Sequence, residues 1–357
     1  MGRIDDMRAA IAQFGESNRV VEDAAGKGSY YVAIPQTAVA GLLKDGDEAI
    51  HPAFIVKGAA KKEILIGKYH ACVEDGRAYS LPGNIPGMNL NFDEAAALCA
   101  NKGEGHHLIT NAEYAMLALL ARKNGTQPRG NTNWGASFDM SVETGTPATK
   151  EWEGELRTMT VMTGSGFPAW YHNGNLSGIE GLCGNLWNWC GGLRLLNGEI
   201  NIIPDNDAAA PHADMSPLSD AWRAIMPNGS LVAPGSPGTL KWDYTAAPEE
   251  NTAGIELATA LSRPQPDDGP FGFKPFSSLT AGAGVGLPMI IKALGLFPDG
   301  EGKDHSGTFW CRNSGERLPI RGGSFHNDAA AGIFTLNMRV TRSLSNHTCG
   351  FRAAYYG

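Results

Sequence analysis

Two short segments contain residue types that occur in enzyme active sites. Thr163-Gly164-Ser165-Gly166 is similar to the loop around a serine nucleophile, but its surroundings predict no strand before it and no helix after it, so we interpret it as a loop. His106 and His107 are adjacent and cannot share one helical face, as the two histidines of an HExxH zinc site do. We predict that both lie in a turn between two helices, so neither segment predicts an active site.

Metal ligands are the next possibility. Asp205, Asn206, Asp207 and Asp214 offer oxygen atoms that suit Ca²⁺, but they lack the spacing of an EF-hand, and a solvated loop is the favoured interpretation. We therefore expect no cofactor, with a structural Ca²⁺ ion as the alternative. The six cysteines fit no zinc motif, and we expect free, buried thiols rather than disulfides. They are Cys72, Cys99, Cys183, Cys190, Cys311 and Cys349.

A third group consists of aromatic side chains, which either line a ligand cleft or fill the core. For Trp187 and Trp189, in the segment GNLWNW, we favour the core. The other members of this group are Trp134, Trp152, Trp170 and Tyr171.

Composition restricts the class of protein. The 357 residues carry a net charge of −8 and contain no basic run, so we expect no nucleic-acid partner. We also expect no membrane span, because no stretch of about 18 apolar residues occurs, and no signal peptide at the polar N-terminus. Synthesis in the cytoplasm follows. With 46 Gly and 21 Pro, the chain is predicted to be rich in turns, short strands and ordered loops.

Local patterns predict the elements that would hold these residues. Residues 62–73 alternate and predict a strand, and 30–35 and 53–56 are β-like. Asn91 or Asp93 starts one helix, and Thr110 with Glu113 forms a capping box for a second. Asn197-Gly198 predicts a hairpin. Further helices are predicted at 219–226 and 287–297, and strands at 318–325 and 348–355.

The segment from Arg321 to Arg352 raises a separate question. It opens with Arg321-Gly322-Gly323 and closes with Gly350-Phe351-Arg352, while its middle mixes residue types without a regular pattern. The two arginines could anchor the ends by binding acids or backbone carbonyls. We expect Ile333, Phe334, Leu336 and Phe351 to pack inward.

These motifs carry a family resemblance. IGKYHA, NFDEAAALCA, HHLITNAEYAMLALLARKNG, GNLWNW, RGGSF and GFRA occur in this order from about residue 62 to 357. The chain thus resembles the C-type-lectin-like fold of the formylglycine-generating-enzyme group and, more narrowly, the variable proteins of diversity-generating retroelements. The fold class that the resemblance implies is α+β, with a ligand-binding domain at 58–357. Residues 1–57 and about 205–310 lie outside the resemblance, and we interpret them as an N-terminal attachment segment and a long irregular insertion.

The two branches of that group imply different functions. The oxidases use a pair of cysteines between RGGS and GFR to bind copper, but residues 324–348 contain no cysteine and Cys349 stands alone. The variable-protein branch implies a non-catalytic protein. In that branch a retroelement replaces adenines in AAY codons of the variable region, here about 321–352, and so varies chosen side chains.

The resemblance implies a set of exchangeable, ligand-binding positions whose side chains should point to solvent. None of them holds Lys, Glu, Gln, Met or Trp, which this codon change cannot produce. The positions are Ser324, His326, Asn327, Asp328, Ala330, Asn337, Arg339, Val340, Leu344, Asn346 and Thr348.

The resulting hypothesis is recognition of a host or cell-surface ligand, expected to be a protein, by a protein displayed on a virion or cell surface. Two alternatives stay open: a metal-dependent oxidase of the formylglycine-generating type, and a purely structural virion subunit. The sequence leaves the ligand and the oligomeric state undetermined.

Overall fold

The fold consists mostly of short strands, with few helices, in agreement with the predicted α+β class. A computed structural model describes residues 2–245, 254–266, 269–300 and 305–357. The helices are α1 Arg3–Ala12, α2 Phe92–Ala100, α3 Asn111–Lys123 and α4 Met289–Ala293. The strands are β1 Asn18–Glu22, β2 Gly28–Pro35, β3 Ile55–Val56, β4 Ala59–Ala60, β5 Glu63–Gly67, β6 Cys72–Glu74, β7 Arg77–Tyr79, β8 His106–Leu108, β9 Glu151–Trp152, β10 Glu155–Leu156, β11 Trp187–Trp189, β12 Leu193–Leu196, β13 Glu199–Ile202, β14 Arg223–Ile225, β15 Leu231–Val232, β16 Lys241–Tyr244, β17 Ile255–Ala258, β18 Gly272–Pro275, β19 Thr280–Ala281, β20 Thr308–Cys311, β21 Glu316–Arg321, β22 Leu336–Val340, β23 Cys349–Gly350 and β24 Ala353–Tyr355.

Two sheets share one apolar core. The first has the order β1-β2-β5-β24-β8, and the second contains the path β18-β20-β22-β21-β12-β13-β16-β17-β19. Helix α3 is buried along most of its length, and its apolar side chains pack against residues of both sheets. The core therefore lies around α3. In the described part of the chain, no helix is both long and apolar enough to cross a membrane.

Local capping explains where the main helices begin. Asn91 accepts a hydrogen bond from the Glu94 backbone N–H at 3.0 Å, and the Glu94 carboxylate accepts one from the Asn91 N–H. Thr110 and Glu113 form the same reciprocal pair at the start of α3. The predicted capping box at Thr110 is confirmed, and of the two predicted N-caps of α2, Asn91 is the one observed. Both pairs satisfy backbone N–H groups that a helix start leaves without partners.

A tight turn joins β12 to β13. Asn197 and Gly198 have φ values of 48° and 77°, which matches the type I′ turn that Asn-Gly favours. The predicted hairpin at this position is confirmed, as is the helix predicted within 287–297, which is α4.

Other local predictions are wrong. His106 and His107 lie on β8, not in a turn, because β8 pairs with β24 at the edge of the first sheet. The residues predicted as a helix at 219–226 instead include β14, which pairs with β13 and β15. The strand predicted at 62–73 is interrupted after Gly67, where the buried Lys68 ammonium donates to the carbonyls of Leu176 and Gly178.

Residues between 205 and 310 extend the second sheet. Strand β16 pairs with β13, and β20 lies parallel to β22. The N-terminal strands β1 and β2 likewise share the first sheet with β5. Both segments thus contribute hydrogen bonds to sheets of the main body.

Candidate ligand-binding surface

Strand β11 brings together the two ends of the variable segment, which we define as residues 321–352. Asn188 on β11 lies opposite Arg321 of β21 in an antiparallel pair and opposite Gly350 of β23 in a parallel pair. The ends of a long segment therefore meet on either side of one residue of GNLWNW. Trp187 and Trp189, which flank Asn188, are buried as predicted.

Buried arginines fix both ends. The Arg321 guanidinium donates to the Asn111 side chain at 2.8 Å and to the carbonyls of Leu294 and Gly295. Arg352 donates to the carbonyls of Gly67, Glu180 and Gly181. Both side chains are fully buried, and burial lowers the pKa of each. The anchors predicted at the two ends thus use backbone carbonyls and one amide.

Between the anchors, a buried framework alternates with accessible side chains. Ile333, Phe334, Leu336 and Phe351 are at most 1% exposed, which confirms their predicted inward packing. Asp328 is exposed. A further seven exchangeable positions are half-buried: His326, Asn327, Ala330, Arg339, Val340, Leu344 and Asn346.

Three exchangeable positions depart from the expectation that all point to solvent. Ser324, Asn337 and Thr348 are buried, at 0%, 3% and 9% exposure. The hydroxyls of Ser324 and Thr348 each donate at 2.8 Å to an asparagine side chain, on Asn327 and Asn346 respectively. Asn337 lies within β22, and its side-chain oxygen accepts from the Arg339 backbone N–H at 3.1 Å.

An aromatic cluster lies beside the variable segment, and we define it as Trp134, Trp152, Phe325, His326 and His347. The His326 ring centroid lies 5.8 Å from that of Trp134 and 5.2 Å from that of Trp152. The His347 ring meets Trp152 edge-on at 4.6 Å. Phe325 is fully buried and contacts the rings of Trp134, Trp152 and His326. These three residues and His347 are half-buried.

Sequence reasoning left Trp134 and Trp152 undecided between cleft and core, and it did not select His347. Trp170 and Tyr171, named with them, are buried in the core. The sequence gives little indication that Trp134 and Trp152 differ in burial from Trp170 and Tyr171, because all four occur in the same loop-rich stretch. The hairpin β9–β10 places the Trp152 indole against the variable segment, and the loop before it places the Trp134 indole there.

Asn185 holds the loops beneath the aromatic cluster. Its side-chain oxygen accepts from the Val161 N–H at 2.9 Å and from the Asn131 amide at 3.1 Å, and its carbonyl accepts from the Phe325 N–H. Trp134 donates its backbone N–H to the Phe325 carbonyl at 2.7 Å. Trp134 also has a φ of 50°, a region that bulky residues rarely adopt and that is over-represented at ligand sites.

A second side of the surface carries positive charge. The Arg339 guanidinium lies 4.4 Å from the Phe271 ring centroid, and Arg312 lies over the same ring at 6.0 Å. Val340 and Leu344 pack against the buried group that contains Trp187. This side therefore combines arginine with apolar area, unlike the aromatic cluster.

Carboxylates lie near the aromatic cluster. Burial, followed by the charge of His347, lowers the pKa of His326, while Asp328 and Glu153 act in the opposite direction. Glu151, Glu153 and Glu155 on the β9–β10 hairpin are all exposed. The neutral form of the His326 ring is therefore favoured, and acidic side chains lie around it.

The acidic group at 205–214 does not converge on a common point. Asn206 is buried, contrary to the predicted solvated loop, because its amide binds Thr110, Ala53 and Glu113 at the start of α3. Asp214 instead accepts from the Ser216 N–H. Among the described residues, no three His, Cys, Asp or Glu side chains are grouped so that they could hold a metal ion.

The remaining enzyme-like residues have structural partners. All six cysteines are free and buried, as predicted, and burial raises the pKa of Cys349 to about 12. In the segment 163–166, which is a loop as predicted, the Ser165 hydroxyl donates to the Met162 carbonyl. The backbone N–H groups of Gly164 and Gly166 donate to the buried Glu180 carboxylate. This loop thus serves to bind Glu180.

Comparison with known proteins gives limited similarity. No protein-family model and no curated protein matches the chain. Among solved structures it is similar to Treponema denticola variable protein 1, at 12% identity over 96% of this chain and 100% of that chain, with a TM-score of 0.37. It is also similar to PvdO from Pseudomonas aeruginosa, at 11% identity over 96% and 100% of the chains, with a TM-score of 0.31.

Both TM-scores lie below 0.5, so function has to be argued from the residues of this chain. In its sequence motifs, the chain resembles the variable proteins of diversity-generating retroelements.

Proposed function

We propose that this is a non-catalytic recognition protein, with a C-type-lectin-like ligand-binding domain, whose variable segment is diversified by a retroelement and binds a ligand on a host or cell surface. The proposed contacts are the eight accessible exchangeable positions, with the aromatic cluster beside them. A protein is the expected ligand, since the surface presents separate polar, apolar and charged parts. Display on a virion or cell surface belongs to the same proposal.

One observation carries the proposal: the variable segment divides into a fixed framework and an accessible set. The framework includes Arg321 and Arg352, whose guanidinium groups bind the main body, and the apolar side chains that fill the core between them. Substitutions at accessible positions cost little stability, whereas those at buried positions are costly. Such a division permits side-chain variation on a rigid scaffold.

Two of the buried exchangeable positions, Ser324 and Thr348, fit this proposal through the neighbouring side chains that they bind. Ser324 and Thr348 bind the side chains of Asn327 and Asn346, which are themselves exchangeable. A change at Ser324 or Thr348 would therefore alter the conformation of an accessible neighbour. We propose that these two positions act on the ligand through those neighbours.

The oxidase alternative depends on thiolate chemistry. A copper-binding pair would need two deprotonated cysteines near one another, but all six cysteines are buried, and burial raises the pKa of each. Incubation with copper and a cysteine-containing peptide tests this alternative, and turnover would replace our proposal. The structural-subunit alternative instead expects that Arg339→Ala and His326→Ala leave binding to host surfaces unchanged.

Deep sequencing of codons 318–357 in a propagating population that carries this gene tests the proposed function. We expect substitutions concentrated at the eleven positions, with codons for framework residues such as Phe334 and Arg352 unchanged. Invariant codons at the eleven positions, or substitutions spread evenly across the segment, would contradict diversification.

A further inference from the structure

The aromatic cluster has chemistry that selects one class of ligand group. Its accessible members present two indoles and two imidazoles, and Trp134 and Trp152 meet at an interplanar angle of 71° with centroids 5.5 Å apart. In such an edge-to-face pair the two rings lie in different planes, so the cluster is not a flat surface. Aromatic ring faces attract cations, because they carry partial negative charge.

The charges around the aromatic cluster strengthen the same preference. Asp328 and Glu153 both act on His326, and Glu151 and Glu155 flank Trp152 on the exposed hairpin. These carboxylates would attract a cation and repel an anion. Because His326 is favoured as a neutral ring, it adds little positive charge to oppose them.

The chain itself already places a cation there. The Arg157 guanidinium lies 5.2 Å from the Trp134 ring centroid, while it forms an ion pair with Glu155 at 2.6 Å. About half of the Arg157 side chain is exposed. An exposed ion pair of this kind is weak, so the guanidinium can be displaced at small cost.

We propose that the aromatic cluster binds a lysine or arginine side chain of a protein partner, which displaces Arg157 from the face of Trp134. This inference rests on the proposed recognition function and names the partner group that one side of the surface accepts. Trp134, Trp152 and Glu153 lie outside the variable segment, so their part of the preference would persist when exchangeable residues such as His326 and Asp328 change. The retroelement would then vary specificity around a constant site for a cation.

Selection from a random heptapeptide display library tests the preference with the full-length protein as bait. We expect selected peptides to share one lysine or arginine, and a synthetic selected peptide to lose about tenfold in affinity when citrulline or glutamine replaces that residue. Glu153→Gln combined with Asp328→Asn should weaken the same peptide by a similar factor. Glu48→Gln, a change at an exposed acid of the N-terminal segment, is the matched control and should leave affinity unchanged.

Arg157→Gln gives a test with the opposite sign. Removing the internal guanidinium frees the face of Trp134 and makes the surface more acidic, so the cationic peptide should bind several-fold more tightly. Trp152→Phe and Trp310→Phe form a matched pair of half-buried indoles, of which only the first contacts the cluster. We expect weaker binding for Trp152→Phe alone, with circular dichroism and melting temperature showing that both variants fold.

The outcomes separate this inference from the proposed function. Peptides without a shared cation whose binding still responds to His326→Ala or Arg339→Ala would overturn the cationic preference and retain the recognition surface. A failure to enrich any peptide, or enrichment that no substitution on this surface affects, would contradict both. Weaker binding of the cationic peptide to Arg157→Gln would also overturn the displacement of Arg157.

Discussion

Asn188 of β11 pairs with Arg321 through one edge and with Gly350 through the other, so a single residue separates the two ends of the variable segment. Residues between these ends can be substituted without loss of the fold only if the two ends keep their positions. Three glycines, Gly322, Gly323 and Gly350, allow the close approach that this arrangement needs. The stability of the fold should therefore be sensitive at the ends and tolerant in the accessible middle.

Gly322→Ala should be strongly destabilising. Gly322 has a φ of 92°, and an added Cβ would lie 2.7 Å from the Leu182 carbonyl oxygen and 2.8 Å from the Tyr114 hydroxyl. Backbone strain of about 1–2 kcal/mol and steric overlap of about 1–3 kcal/mol should add. Gly76→Ala is the matched control, because Gly76 also has a positive φ but no atom within 4 Å of the added Cβ.

Urea unfolding of both glycine variants measures the difference. We expect the free energy of unfolding to fall by about 2–5 kcal/mol for Gly322→Ala and by about 1–2 kcal/mol for Gly76→Ala. Equal losses would mean that the end of β21 tolerates a side chain and that the close approach to Leu182 does not constrain it.

Arg321→Gln should also destabilise the fold, because it removes the donor of the Asn111 amide oxygen and of the Gly295 carbonyl, while the Leu294 carbonyl still accepts from the Asn111 amide. Buried polar groups that lose a partner cost about 1–3 kcal/mol each, so we expect a total loss of about 2–6 kcal/mol for the two groups. Arg339→Gln is the control, since Arg339 is half-buried and contacts the Phe271 ring. Its expected loss in urea unfolding is below about 1 kcal/mol, and a larger loss would move Arg339 into the framework.

The sequence correctly predicts local features that depend on residues adjacent in the chain. Capping at Asn91 and Thr110 and the turn at Asn197-Gly198 need only a few consecutive side chains. The helix predicted at 219–226 is wrong, because β14 forms there with β13 and β15 as its backbone partners. Pairing between distant strands overrides local preference there.

The candidate site shows the same limit. Motif resemblance selected residues 321–352 and its anchors, but it did not select Trp134, Trp152 and His347 as one cluster. These residues are far apart in sequence, and Asn185, which joins their loops, gives no periodic signal. Burial of Ser324, Asn337 and Thr348 was likewise missed, because it depends on hydrogen bonds and strand neighbours that no local pattern encodes.

Trp152→Ala should release the β9–β10 hairpin from the variable segment. The indole contacts Trp134, Phe325, His326 and His347, while β9 and β10 form only a two-stranded unit. An isolated hairpin is marginally stable in water, so we expect faster trypsin cleavage after Lys150 and Arg157. Mass spectrometry identifies the cleavage sites. Unchanged cleavage rates would mean that the aromatic contacts do not hold the hairpin.

All six thiols should resist modification in the folded protein. Each is buried, and burial raises the pKa of Cys183 and Cys190 to about 12, so little reactive thiolate forms at pH 8. We expect no fast reaction with a disulfide reagent such as DTNB, and six equivalents after unfolding in guanidinium chloride. Fast labelling of two thiols in the folded protein would instead supply the thiolates that the oxidase alternative needs.

Acid should destabilise the fold through buried neutral histidines. Burial lowers the pKa of His51 and His172 to about 4, and burial with the nearby Arg352 charge lowers that of His70 to about 3. In the unfolded chain these groups bind protons below about pH 6.5, while the folded chain does not. The unfolded state therefore gains protons as pH falls from about 6.5 to about 4, and each histidine contributes up to about 1.4 kcal/mol of lost stability per pH unit.

Denaturant unfolding between pH 8 and pH 5 measures this slope, which we expect to be small above pH 7 and steep below pH 6. His70→Gln keeps a donor for the Leu186 carbonyl but removes the titrating group, so the slope below pH 6 should decrease by up to about 1.4 kcal/mol per pH unit. The Glu113 carboxylate acts in the opposite direction, since it outweighs burial and raises the pKa of His107, which adds stability as His107 is protonated. If the free energy of unfolding of the wild-type protein did not decrease as the pH is lowered from 6 to 5, the assignment of His51, His70 and His172 as neutral in the folded state would be contradicted.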